Sequence, residues 1–359
     1  MPGFDESHLT AADSRFVVLR LVRFSRGGGL AVFTERKLAL HSIGGGLVRG
    51  AAMGFFGLAA LTALGPAGVL AQQKVQIRAA YVPVATWLPA WVAKEKGIFD
   101  RNGLEVSLTR FPNLVTLPGS LGKTFDMAPT TAPDFLNAVA GGLNLVAVAG
   151  GTVETSANRT FQVMVRPDSG INSAKDLAGK RIASPGIASV MHVAFNHWLR
   201  ANGVDPASVT AVEVPFTSMM DQLKAGRIDA VEALQPFVGQ MLGAGFKTLG
   251  APLLSVADPV LFPFWIAEAN WARSNRDVIR RWIASLDEAL KVIRSDDKAA
   301  REVLAKYTGL PEAVVAKIPY PAYQFTISPG QIEVWQKVLA SQGRQFPGLD
   351  VRNLVVTAQ

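Results

Sequence analysis

The sequence predicts an α/β protein of two lobes, each a mostly parallel sheet with flanking helices, joined by a hinge of two strands. A segment with the order strand, helix, acidic turn and helix occurs twice, beginning at Asn102-Gly103 and again at Asn202-Gly203. Around the first copy, strands and helices alternate with short connections, an order that favours parallel strands covered by helices. Two large, similar units of this kind predict a cleft between them.

The two copies share an acidic turn and differ after it. Asp126 in the first copy and Asp229 in the second each follow a helical stretch and precede a short apolar run. We expect both aspartates to be structural and to fix the turn into each strand. The residues that follow are Thr130-Thr131 in the first copy, and Glu232 and Gln235 in the second. We expect this difference between the copies to determine which ligand binds.

In the first unit, apolar alternation from Val75 to Tyr81 marks a strand that ends before Pro83. Apolar residues at helical spacing mark a helix from about Trp87 to Lys96, with Gly97 in the position of a C-terminal cap. The same patterns predict strands at 104–110, 125–128 and 143–149, and helices at 114–121 and 133–140.

The second unit begins after a strand at 161–165 and a turn-rich boundary at 166–170. A capped helix at 173–177, a strand at 180–183, a long helix to 201, a strand at 212–216 and a strand at 246–249 are predicted in this unit. A return strand at 261–268 then leads into an almost entirely helical stretch at 271–342. This order assigns residues 72–166 and 262–359 to one lobe and residues 167–261 to the other, with two strands as the hinge.

Residues 1–71 are predicted to be a leader that takes no part in the fold. Arg49 precedes a charge-free stretch from 50 to 73 that holds an apolar centre, a Gly-Pro break and small residues before Ala71. These are the parts of a cleavable signal peptide, placed at about 36–71 with a cut after Ala71, and they predict export to the periplasm. Residues upstream are interpreted as an extension or a mis-start. The alternative is an uncleaved membrane anchor, because about 20 apolar residues span a bilayer.

Composition excludes several functional classes. The chain of 359 residues is 49% hydrophobic and 18% charged, which is enough apolar content for a large core. Its 36 basic and 28 acidic residues give a net charge of +8, of which residues 1–71 contribute +3 and the rest +5, without a basic tract. This balance argues against a nucleic-acid partner. The sequence has no cysteine, which rules out disulfides, a thiol nucleophile and cysteine metal sites.

Ligands of open α/β sheets bind beyond the carboxyl ends of the strands. In the first lobe these ends carry Pro83, Val84, Thr86 and Trp87, and then Thr130-Thr131. The threonines offer hydroxyls beside a helix start, and Trp87 is placed to stack on a ligand. The alternatives are ordinary helix caps and a core tryptophan.

In the second lobe, the candidate contacts are Gly186, Ala188 and Ser189 at a helix start, and Glu232 and Gln235 after a strand. A helix start suits a carboxylate, a sulfonate or a similar anion, because its backbone N–H groups are free. Glu232 would bind a ligand amine or, as the alternative, cap a neighbouring group.

Catalytic residues are scarce. After the leader only His192 and His197 remain as histidines, and a spacing of five on a helix keeps them from sharing a metal ion. No nucleophile elbow, P-loop or dinucleotide fingerprint is present in the required context. We therefore expect no catalytic residue, no metal and no cofactor.

Five segments together carry a family resemblance: Val92–Phe99, Asn102–Val106, Phe125–Ala128, Lys175–Ile182 and Gly226–Ala230. They resemble the solute-binding proteins of nitrate, sulfonate and taurine-type ABC importers, which include binders of pyrimidine precursors. The resemblance covers about residues 75–345. It implies a two-lobed periplasmic binding protein fold of the second type, which closes around a small solute and delivers it to an inner-membrane permease.

The resemblance also implies that the loops already chosen from the strand ends contact the solute, and it implies a monomer without a cofactor. Those loops hold no Lys or Arg, so an inorganic anion is disfavoured. An organic solute, such as a sulfonate or carboxylate with an apolar or aromatic body, fits Trp87 and Phe237 better.

Two other classes stay open. One is a binder of a pyrimidine or another heteroaromatic vitamin precursor. The other is an enzyme on the same fold, of the menaquinone-pathway type, which an export leader disfavours; a fungal thiamine-pyrimidine enzyme with a cysteine-rich iron site is disfavoured by the absence of cysteine. A membrane-tethered sensor domain would require the leader to be retained.

Overall fold

The computed structural model of the chain describes residues 74–111, 114–187 and 189–356. The strands are β1 Val75–Tyr81, β2 Leu104–Arg110, β3 Met127–Thr130, β4 Leu145–Gly150, β5 Thr152–Glu154, β6 Phe161–Val165, β7 Arg181–Ser184, β8 Thr210–Glu213, β9 Ala230–Leu234, β10 Lys247–Gly250, β11 Val260–Leu261, β12 Phe264–Glu268 and β13 Ala322–Tyr323. The helices are α1 Leu88–Glu95, α2 Ile98–Arg101, α3 Ala132–Ala140, α4 Val190–Ala201, α5 Phe216–Lys224, α6 Phe237–Gly243, α7 Ala269–Ser274, α8 Arg276–Ser295, α9 Asp297–Thr308, α10 Glu312–Val315 and α11 Pro329–Ser341.

These strands form two five-stranded sheets, in the orders β2-β1-β3-β12-β4 and β10-β6-β9-β7-β8. In each sheet four strands run in one direction, and a single strand, β12 or β6, runs antiparallel to its neighbours. The predicted pair of mostly parallel sheets is confirmed. The exceptional strand in each case is the one by which the chain arrives from the other sheet.

The chain passes between the sheets twice, and the two passages pair with each other. Strand β5 pairs antiparallel with β11, opposing Val153 to Leu261 and Glu154 to Val260. On its other side β5 pairs with β13. The expected two-strand hinge is present, with a third strand that the sequence did not reveal. Strands β5 and β13 have three and two residues, too few for alternation to be read.

Two adjacent glycines make this junction possible. A Cβ on Gly150 would lie 2.1 Å from the carbonyl oxygen of Gln324, and a Cβ on Gly151 would lie 2.5 Å from that of Pro263. Gly150 N donates to Phe325 O, and Gln324 N donates to Gly151 O. Backbone approaches this close have room only for a residue without a side chain.

The repeated aspartates have the same role in both sheets. The Asp126 carboxylate accepts a 2.8 Å bond from Arg78 N while its own N–H donates to Arg78 O. Asp229 makes the same pair of bonds with Arg181 N and O, with both distances again 2.8 Å. Each aspartate therefore ties the turn before one strand to the backbone of its neighbour, and the structural role predicted for both is confirmed.

Aromatic residues dominate the core between the first sheet and α1, α2 and α8. Trp265 packs edge-on against both Trp87 and Trp282, and Trp282 stacks on Phe99. All four rings are buried. A second apolar cluster joins α4 of the second sheet to α3 and α11, through residues such as Val190 and Trp335.

Three predicted elements differ from the structure, and a proline occurs at each. The return strand expected at 261–268 is divided at Phe262 and Pro263 into β11 and β12. The helix expected at 114–121 is only a 3₁₀ turn, Leu117–Ser120, because Pro118 and Gly119 interrupt it. The strand expected at 212–216 ends at Glu213, and Pro215 instead precedes the first residue of α5.

The predicted leader and its cleavage point lie outside the described residues. In the part of the chain that the structure describes, no helix combines the length and apolarity needed to cross a membrane. The lobe boundaries at 166/167 and 261/262 stay a prediction. Strand β6, which ends at Val165, already belongs to the second sheet.

Candidate ligand-binding site

A cavity of about 210 Å³ lies where the carboxyl ends of β1 and β9 meet. The chain segments Pro83–Thr86 and Gln235–Phe237, which follow these two strands, both form part of its wall. Thr152 and Phe262 from the paired passages between the sheets line it as well, as does Thr160 before β6. The C-terminal region closes it with Leu304, Thr308, Leu310, Ile318, Pro319 and Pro321.

The wall is mainly apolar. Its polar members are four threonines and one glutamine, and no charged side chain of the described residues lines it. Two phenylalanines, Phe216 and Phe237, stack with ring centroids 5.5 Å apart and planes 11° from parallel. They are the first residues of α5 and α6. A cavity of this composition accepts the apolar body of an organic molecule and orients it by a few hydrogen bonds.

The polar groups of the wall are already partly bonded. Thr160 Oγ1 donates to Glu154 Oε2 at 2.5 Å, and Thr152 Oγ1 donates to the carbonyl oxygen of Phe262. Thr308 Oγ1 donates to Leu304 O at 2.6 Å and accepts from Leu310 N at 3.3 Å.

Gln235 has its amide oriented by the backbone. Its Oε1 accepts from Gly239 N at 3.2 Å, so the oxygen and not the nitrogen faces that N–H group. The hydroxyl of Thr86 has no partner among the described residues.

The structure brings together four of the residues selected from the sequence. Pro83, Val84, Thr86 and Gln235 all line this cavity. Their roles as ligand contacts stay predictions. Trp87, one residue further along the same loop, is 1% exposed and packs edge-on against Trp265 at 4.8 Å. It lies in the core and does not line the cavity.

Thr130 and Thr131 are buried away from the cavity wall, at 0% and 3% exposure. Thr130 is the last residue of β3, and Thr131 precedes α3. The Thr131 hydroxyl donates to Asp134 at 2.7 Å. Desolvation by burial raises the pKa of Asp134. This pair stabilises the start of α3.

The start of α4 is also occupied by local contacts. Ser189 accepts from His192 N at 3.3 Å, which caps the helix. Gly186 N lies 3.3 Å from Ser184 Oγ, to which it donates. Neither Gly186 nor Ser189 lines the cavity. Ala188 lies outside the described residues.

Glu232 is fully buried and bonded to two side chains. His192 Nδ1 lies 2.6 Å from Oε1, and Ser184 Oγ donates to Oε2 at 2.9 Å. Burial raises the pKa of Glu232, and the hydrogen bonds from His192 and Ser184 oppose that rise. The serine contacts the carboxylate and not the imidazole, so the three residues lack the Ser–His contact that activates a serine nucleophile.

Sequence reasoning did not select several residues of the wall, among them Thr152, Thr160, Phe216 and Phe262. Thr152 belongs to a strand-end loop, which was a usable signal. Phe216 was assigned to a strand, and Pro215 before it was the signal for a helix start. Within the described ranges, no group of His, Asp and Glu residues is placed to hold a metal ion.

A family model described as "NMT1/THI5 like" matches residues 85–300 of the chain. Bicarbonate transport ATP-binding protein CmpC of Synechocystis sp. is 31% identical over 194 residues, which are 49% of this chain and 29% of that protein. A protein of Brachyspira hyodysenteriae named as an ABC transporter periplasmic binding protein is 30% identical over 163 residues, 41% of this chain and 46% of that one. The chain thus spans less than half the length of either relative.

Solved structures share the fold. The periplasmic aliphatic sulphonate binding protein SsuA of Escherichia coli superposes with a TM-score of 0.67 at 21% identity, over 78% of this chain and 92% of that one. The desulfurization enzyme DSZB superposes with a TM-score of 0.54 at 16% identity, over 76% of this chain and 95% of that one. At these identities the likeness establishes the fold, which is that of the periplasmic binding proteins, as predicted.

Proposed function

Because the chain belongs to the NMT1/THI5-like family, we propose that it is the extracytoplasmic solute-binding component of an ABC importer. It captures a small organic solute between its two lobes and delivers it to a permease in the inner membrane. The observation that carries the proposal is the position of the cavity, at the strand ends of both sheets and beside the paired strands β5 and β11. A ligand held by both sheets favours their closed arrangement.

Binding is favoured over catalysis by the chemistry of the wall. Threonine hydroxyls, one amide and aromatic rings recognise and orient a solute. Among the residues that line the cavity in the described structure, none pairs a nucleophile with a base. His192 and Glu232 bond to each other and to Ser184, in an arrangement that holds an interior together.

Two classes of solute fit the wall. An organic sulfonate or carboxylate would place its apolar body against Phe216 and Phe237 and its anionic end toward the start of α5, which has no side-chain cap. A neutral heteroaromatic compound, such as a pyrimidine precursor of a vitamin, would use the same rings for stacking. The second class is supported by the absence of Lys and Arg from the described wall.

A thermal-shift screen of sulfonates, carboxylates and pyrimidines tests the proposal. A true ligand is expected to raise the melting temperature as its concentration increases. At a ligand concentration of 100 times Kd, the free energy of unfolding should rise by about 2.7 kcal/mol. If no organic solute stabilises the protein at any concentration, solute capture is wrong.

Replacing Phe237 by alanine tests the cavity itself. The variant is expected to weaken binding of the best solute from the screen by about tenfold or more, because it removes a stacking surface. Leu242→Ala is the matched control, since Leu242 lies on the same helix, is 47% exposed and does not line the cavity. Calorimetric titration of both variants decides the matter. Equal affinities for the two would show that the solute binds elsewhere.

A further inference from the structure

Thr152 and Thr160 line the cavity, and the hydrogen atom of each hydroxyl is already donated to an acceptor within the protein. Thr160 donates to the Glu154 carboxylate, and Thr152 donates to a backbone carbonyl oxygen. A hydroxyl has one hydrogen and two lone pairs. Any hydrogen bond that either threonine makes to a solute must therefore be accepted by the threonine and donated by the solute.

Gln235 provides the complementary group. Its Oε1 is held by Gly239 N, which leaves the amide hydrogens to meet an acceptor atom on the solute. Thr308, although it lines the cavity, has both its hydrogen and a lone pair engaged by α9 and the turn after it. The free polar capacity of the wall is thus mainly two acceptors, one amide donor and the uncommitted hydroxyl of Thr86.

A buried acidic side chain contacts this wall. Glu154 is 1% exposed and accepts from Thr160 N, Thr160 Oγ1 and Phe161 N, directly behind the Thr160 part of the wall. Burial raises the pKa of Glu154, and the hydrogen bonds from Thr160 and Phe161, together with the charge of Arg159, oppose that rise. A desolvated anion with no cation in the wall would be unfavourable beside it.

From this inventory we infer that the solute carries no negative charge and presents at least one N–H or O–H donor to Thr160 and Thr152. The inference rests on the proposed function and narrows it. It selects against sulfonates and carboxylates and in favour of uncharged amides, sulfonamides and amino-substituted rings. The apolar part of the wall fits the bodies of both classes of solute equally well. The charge of the solute and its hydrogen-bond donors therefore determine which class binds.

Matched pairs of compounds test it. Benzamide against benzoate and benzenesulfonamide against benzenesulfonate differ in charge and in donor hydrogens while keeping one aromatic body. The uncharged member of each pair is expected to bind about tenfold more tightly, or better, by calorimetric titration at millimolar concentration.

Three variants locate the effect. Thr160→Val removes the acceptor and keeps the side-chain shape, so the preference for the uncharged member should fall by about tenfold. Thr160→Ser keeps the hydroxyl and should preserve the preference. Thr308→Val is the matched control, because the hydrogen and one of the two lone pairs of its hydroxyl are engaged within the protein. The ratio of affinities within a pair is the readout, since a loss of stability alone does not change it.

The outcomes separate the two levels of the proposal. Tighter binding of the anions overturns the inference and leaves solute capture standing. The same holds if anions bind and every amide and sulfonamide fails. If no compound of either kind binds, and the wider screen is also negative, both are wrong. An unchanged preference in Thr160→Val removes Thr160 from the recognition of the solute.

Discussion

Glu232→Ala is expected to lower the free energy of unfolding by about 3 kcal/mol, because a buried polar group left without its partner costs about 1–3 kcal/mol and buried side-chain volume is lost as well. The side chain is 0% exposed and contacts both His192 and Ser184. Alanine would leave the His192 imidazole without its carboxylate partner in the interior, whereas Ser184 keeps its bonds with the Gly186 backbone. Urea unfolding measures the change. Glu105→Ala, which alters an exposed glutamate on β2, is the control and should change stability little.

Glu232→Gln separates the hydrogen bonds from the charge. The amide keeps an oxygen for His192 and an NH₂ group for Ser184, so its loss of stability should be much smaller. Burial raises the pKa of Glu232 in the folded protein. The stability tied to this raised pKa is therefore present below the ordinary glutamate pKa and is lost as the pH rises through the raised value. The Gln variant should lack that decline, and a difference from the native protein that does not vary with pH would contradict the assignment.

Trp87→Ala is expected to lower the free energy of unfolding by about 3–5 kcal/mol, as is usual when a buried aromatic residue is truncated. The indole is 1% exposed and contacts Trp265 in the core of the first lobe. Trp87→Phe retains part of the packing and should lose less. Guanidinium unfolding of both variants gives the two values.

The same variant distinguishes a core residue from a ligand contact. At a temperature where Trp87→Ala remains folded, its affinity for the solute should change much less than that of Phe237→Ala, which alters the cavity wall directly. A Trp87→Ala protein that binds far more weakly but unfolds normally would instead place this indole against the solute.

The strand ends could be located from the sequence, but the direction of each side chain could not. Alternation along β1 placed Pro83, Val84 and Thr86 at the cavity, because a strand's end is readable from its pattern. Trp87 went to the core instead. The following helix α1 has Leu88 to Ala93 all buried, so it has no polar face from which its orientation could be judged.

Contacts between distant segments were beyond the pattern altogether. Glu232 was selected as a strand-end carboxylate, yet its partner His192 is 40 residues away on α4, and no local signal pairs them. The C-terminal part of the cavity wall, from Leu304 to Pro321, comes from a stretch predicted to be mostly helical. Helical periodicity shows which face of a helix is apolar, but it does not show which distant segment that face packs against. The strands β5 and β13 were too short to predict from alternation. The glycine pair Gly150-Gly151, which directly precedes β5, was the local sequence signal at this position.

The glycine pair Gly150-Gly151 and the residue that follows it are constrained in different ways. Any side chain at 150 or 151 would collide with the backbone carbonyl of Gln324 or Pro263, whereas Thr152, the next residue, faces the cavity. Among chains that keep this junction, we expect glycine to be invariant at the first two positions and the third to vary with the solute. Conservation at positions 150 and 151 would then report the packing of the junction, and variation at position 152 would report the identity of the transported molecule.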